Sequence, residues 1–208
     1  MTTFQIFSYI SGYSAIIPLI IGFIFFRKFK PYCQWMMVLV VVSLTIDVIS
    51  FYLRSQGFST LPYVHQFFLL QVPIIHMVYE KSNPPRKGLL MVNRVITLIA
   101  MALIIYFLWG RWDNERMVIQ VPWISTIACI LISLIYLFGR VSFSKLDEEL
   151  INPPMMIFGL ILIYQCSIIS TFAVYETLIR DIYKLKLVVY IIFNIVLAYF
   201  FYRQSKVN

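Results

Sequence analysis

The chain has 208 residues, 61% of them hydrophobic and 12% charged, with a formal net charge of +8 and a mean hydropathy of +0.85. A soluble domain carries about 45–50% apolar and about 25% charged residues, so a water-soluble fold, a disordered chain, a collagen, a disulfide scaffold and a nucleic-acid-binding domain are excluded. What is left is an integral membrane protein, all-α, with its basic residues between apolar runs, where they report topology.

About 20 apolar residues are needed to cross a hydrocarbon core of about 30 Å. Seven segments qualify, and the chain reads as one polytopic helix bundle with seven transmembrane helices. The first, 4–26, lacks the basic flank and small-residue cleavage site of a signal peptide. It carries Ser11, Ser14 and a kink-forming Pro18. The second, 33–53, carries Ser43, Asp47 and Ser50. The third, 62–79, carries His65, Gln71, Pro73 and His76, with Glu80 just beyond it. The fourth, 88–109, contains Arg94. The fifth spans 120–138. The sixth, 154–175, holds Tyr164 and Gln165, and the seventh, 184–202, holds Tyr190 and Asn194. The connections are short, so sequence neighbours are expected to pack antiparallel.

Lys and Arg give the direction. The loops after spans one, three and five and the C-terminal tail hold ten of them; the opposite side holds six, among them Arg54, Lys184 and Lys186. By the positive-inside rule the N-terminus is outside and the C-terminus cytoplasmic. Tyr32, Trp35, Tyr79, Tyr136 and Tyr202 fall near the inner boundary, and Tyr52, Trp109 and Trp123 near the outer one, as aromatic belts do. Cys33, Cys129 and Cys166 are too scattered for a metal or redox motif, and Cys129 and Cys166 read as small packing residues.

Polar groups at depth are expensive and carry the information. Asp47 is the only acid well inside a span. Ser43, Asp47 and Ser50 share one helical face, and Asp47 lies about 9 Å below the outer end. His65 has a similar depth on the next helix. Asp47 and His65, with Ser11 and Ser14 nearby, are therefore an outward-facing candidate ligand site or a structural pair. His76, Glu80 and Arg94 form a candidate inner polar cluster, with snorkelling the alternative for Arg94. Gln71, Gln165 and Asn194 are the midplane polar residues.

Several chemistries lack their residues. No lysine stands mid-span in the seventh helix for a retinal Schiff base. Two histidines are too few for an intramembrane zinc site, and one deep acid is too few for a carboxylate pair. No G-x-S-x-G, H-E-x-x-H or P-loop occurs. No cofactor, metal or catalytic residue is expected.

The stretch 43–79, with Asp47 followed by His65, resembles a group of small bacterial seven-span membrane proteins of no assigned activity. Gln71 stands where that group's pattern has a glutamate; 161–170 and Asn194 are similar to its sixth and seventh spans. The resemblance implies a bacterial inner-membrane protein and no mechanism. Four functions remain: a sensor or binding bundle for a small or amphiphilic ligand acting with a protein partner; a non-catalytic effector subunit that forms a homo-oligomer; a small transporter or ion or proton pathway; and, last, a lipid-modifying enzyme. Membrane lipids surround it in every case.

Overall fold

A computed structural model describes residues 10–11, 13–82, 87–109, 118–141, 153–173 and 179–207. Among them every regular element is a helix: α1 (Ile16–Phe25) with a 3-10 turn (Phe26–Lys28), α2 (Pro31–Ser55), α3 (Leu61–Lys81), α4 (Lys87–Leu108), α5 (Gln120–Val141), α6 (Pro153–Ala173) and α7 (Ile179–Val207). Five of them, α2, α3, α4, α5 and the stretch Lys186–Lys206 of α7, are long and apolar enough to cross a membrane. The start of span 4–26, the end of span 154–175, and Arg86, Arg111, Arg116 and Lys145 of the charge tally lie outside the described residues.

Helix boundaries follow local chemistry. Proline opens α2 and α6, where its missing N–H is harmless. After α2 the Gly57 backbone takes a φ of 79°. The Phe58 N–H bonds to the Leu53 carbonyl at 2.9 Å and the Gly57 N–H to that of Arg54 at 3.1 Å, which closes the helix in a Schellman motif. Pro18 acts more strongly than a kink. Its ring opposes a bond to the Ser14 carbonyl, the helical path is interrupted by a turn at Ala15, and α1 spans only 10 residues. Pro73, by contrast, sits within a continuous α3.

Sequence neighbours pack together throughout, as expected, and α7 also packs against α1 while α3 packs against α5. Six helices (α1, α2, α3, α5, α6 and α7) thus form a closed ring. α4 stands outside it, in the groove between α3 and α5. The centre is apolar: Met36, Val72, Ile75, Ile132, Phe158 and Leu197 are fully or almost fully buried.

The two ends of the ring differ. At the end holding Lys30 and Ser82, aromatic rings lock the helices. Tyr136 stacks on Phe158 at 4.2 Å, Tyr79 meets Tyr136 edge-on at 5.6 Å, and Phe29 stacks on Phe201 at 5.0 Å. The Tyr136 hydroxyl donates to the Ser82 carbonyl at 3.2 Å. Tyr32, Tyr79 and Tyr136 are therefore core residues and not members of an interfacial belt, whereas Tyr202 is exposed as a belt residue should be. Cys166 is likewise exposed rather than packed, while Cys33 and Cys129 are buried. The outer surface is apolar in the sense a membrane demands: Leu98 is 69% and Phe51 71% exposed. Gly22 marks the closest approach of α1 to α2, since a Cβ there would overlap the side chain of Met37.

Candidate functional site

In the half of the ring away from Lys30 the helices separate around a chamber of about 290 Å³, walled by α2, α3, α6 and α7 with Ser11. Asp47 enters from α2, about 12 Å before the helix ends. Lys186 enters from α7. That helix begins at Ile179, so Lys186 lies about two turns along it and lines the chamber. The carboxylate and the ammonium interact electrostatically across the chamber. Asp47 is exposed, on a wall that faces α3, α6 and α7. Ser43 and Tyr190 line the same walls, and the rest is largely apolar, including Val64, Phe67, Phe68 and Leu187.

A second cavity of about 30 Å³ lies deeper, and it shares Ser43, Phe67, Tyr164 and Tyr190 with the chamber. Gln71, Gln165 and Asn194, which lie far apart in the chain, all line it. Each is tied differently. The Ser125 hydroxyl donates to Gln71 Oε1 at 3.3 Å, and Asn194 Nδ2 donates to the Ser14 hydroxyl at 2.9 Å. Ser14 in turn donates to the Ser11 carbonyl at 2.6 Å. Gln165 Oε1 is buried with no partner among the described residues. The Tyr190 hydroxyl faces both Ser43 and Asn194, so a polar column descends α7 from Lys186 through Tyr190 to Asn194, one helical turn per step.

His65 is not part of this arrangement. Its Nε2 accepts the Val118 N–H at 3.1 Å, just ahead of α5, and the residue is fully buried. An accepting Nε2 makes the ring neutral with its proton on Nδ1. The expected Asp47–His65 pair is thus replaced by Asp47 with Lys186, while His65 ties α3 to the start of α5. Ser50, on the Asp47 face of α2 by spacing, has a buried hydroxyl without a partner among the described residues and does not line the chamber.

The inner cluster does assemble. Arg94 Nη2 meets Glu80 Oε1 at 2.5 Å, and His76 Nε2 lies 3.8 Å from Glu80 Oε2. Asn93, which the sequence reading passed over, joins it: its Nδ2 lies 2.9 Å from His76 Nδ1. Arg94 is exposed, so it reaches outward and pairs at the same time. This group ties α3 to α4 on the flank of the ring.

Lys186 is the chamber residue that sequence reasoning counted only as a loop charge, and Tyr190, noted on the seventh span, was not placed in a site. Their signal was the i, i+4, i+8 spacing with Asn194, which sets all three on one face of α7. Among the described residues no group of three His, Cys, Asp or Glu could hold a metal ion. No family model matches the chain, and neither a curated protein nor a solved structure matches it.

Proposed function

We propose that the chain is a single seven-span bundle of a bacterial inner membrane, N-terminus outside, which binds a small or amphiphilic ligand in the Asp47–Lys186 chamber and passes its occupancy to a protein partner. One observation carries the reading: two opposite charges share one accessible chamber inside an otherwise apolar ring. Charges at such depth are expensive unless paired or put to use, and five long apolar helices support the membrane setting. In this reading α6 is a sixth crossing, and the apolar run 4–26, which contains α1, a seventh. Lys186, counted with the outer loops, lines the chamber; setting it aside lowers the outer tally from six to five and sharpens the charge bias. The chamber then opens on the outer half.

The test is thermal unfolding of purified protein in detergent with a panel of anionic, cationic and zwitterionic probes. A probe that stabilises the wild type and loses its effect in Asp47→Asn and Lys186→Gln supports the reading. Stabilisation that ignores both substitutions, for every probe, sinks it. Reporter fusions at the two termini check the orientation.

A second reading, the oligomeric effector, is favoured by α4. It lies outside the ring with Met91, Leu98 and Tyr106 all at least 69% exposed, a face that can meet either lipid or a second copy. Size in native membranes separates the two, since a monomer leaves the binding bundle alone standing.

A further inference from the structure

Three cavities converge on one side chain. Tyr164 borders the charged chamber, the deeper cavity of Gln71 and Asn194, and a third space of about 90 Å³ between α6 and α7. The third space is lined by Leu160, Ile163, Val189, Ile192 and Phe193 beside Tyr164 itself, with no charged group. Ile163 and Ile192 at its lip are 61% and 53% exposed, so it meets the apolar flank of the bundle. The Tyr164 and Phe193 rings, 5.0 Å apart between centroids, line both this cleft and the deeper cavity, and the Tyr190 ring lies 5.7 Å from that of Tyr164.

Charge sets what the chamber accepts. A purely anionic group drawn to Lys186 meets repulsion from Asp47, and a purely cationic one meets the reverse. A head carrying both an ammonium and an anionic group satisfies both at once. The remaining chamber wall is apolar, and the cleft beside it continues that character to the membrane flank. A ligand with a hydrocarbon chain therefore finds a matched surface at both ends of its own length. Resting on the binding role proposed above, we infer that the ligand is a membrane amphiphile with a zwitterionic head, its head between Asp47 and Lys186 and its chain in the α6–α7 cleft, with Tyr164 at the junction.

The experiment measures apparent affinity by thermal shift in detergent with three probes. These are 1-palmitoyl lysophosphatidylethanolamine, the anionic 1-palmitoyl lysophosphatidylglycerol, and chain-free glycerophosphoethanolamine. The zwitterionic amphiphile is expected to bind at least about tenfold more tightly than either of the others, a difference of about 1.4 kcal/mol. Asp47→Asn should abolish the preference over the anionic amphiphile. Val189→Trp, which fills the cleft without touching the charges, should weaken the zwitterionic amphiphile about tenfold and leave glycerophosphoethanolamine unchanged. Ile163→Gln, on the exposed lip, should act in the same direction and serves if the tryptophan variant does not fold. Equal binding of glycerophosphoethanolamine and the amphiphile, dependent on Asp47 and indifferent to both cleft variants, overturns the inference and leaves the chamber as a site for a soluble zwitterion. Binding of all three probes without regard to Asp47 or Lys186 overturns both.

Discussion

Asp47 on the second helix and Lys186 on the seventh line one chamber, because the ring closes α7 onto α1, which in turn packs against α2. Each neutralises a charge that the other would otherwise leave alone inside an apolar bundle. Asp47→Asn and Lys186→Gln should therefore each destabilise the ligand-free protein. The loss should be about 1–3 kcal/mol, below the 3–5 kcal/mol of a fully buried pair because Asp47 is accessible. The double variant should be more stable than either single one. A double-mutant cycle on thermal unfolding reads the coupling, and strict additivity would argue that the two charges do not interact.

His65→Ala should lower stability by about 1–3 kcal/mol, since it strands the buried Val118 N–H. It should leave probe binding at the chamber untouched. The contrast with Asp47→Asn separates a residue that holds two helices together from one that faces a ligand.

Gly22→Val should weaken the bundle by about 1–3 kcal/mol through overlap with Met37. Because the clash involves the far end of a flexible side chain, Met37→Ala in the same chain should restore part of the loss. Unfolding midpoints of the four variants decide it; failure of the rescue would mean that backbone, not Met37, sets the spacing of α1 and α2.

Glu80→Gln should cost less than about 1 kcal/mol, because its partner Arg94 is exposed and screened. Asn93→Leu on the same flank removes a buried group bonded to His76 and should cost more. The ranking, rather than either value, is the outcome to check in unfolding curves.

Gly57→Ala should destabilise by about 1 kcal/mol, with Gly57→Asn milder, because the φ of 79° is left-handed. Proteolysis rates at the α2–α3 turn offer a second readout, rising in the alanine variant if the turn opens.

Much of this architecture was legible as apolar length. Five of the expected spans return as long helices because nothing but a helix can satisfy its own backbone across a membrane. The inner cluster was legible too: His76 and Glu80 are one turn apart, and an antiparallel neighbour brings Arg94 back to their level. The partner of Asp47 was not. Depth can be counted along a chain, but which flank of a helix meets which neighbour depends on how the ring closes, and His65 on the next helix has the right depth on the wrong side. Lys186 was hidden by its address. It follows a run of basic and polar residues that reads as a loop, whereas α7 has already begun at Ile179. Pro18 was visible, yet its effect was not, since only its neighbours determine whether a proline bends a helix or interrupts it.

The ring closes through α3 and α5, and α4 is a detour outside it. Mechanically this makes α3 and α5 the paired keystones, each in contact with three helices, and α4 a buttress leaning on the wall from without. Substitutions along the outer face of α4 should be absorbed there, whereas a change in the α3 side chains that meet α2 and α5 is felt around the whole circuit. The molecule can thus remodel what it shows to the membrane while keeping its interior space the same shape.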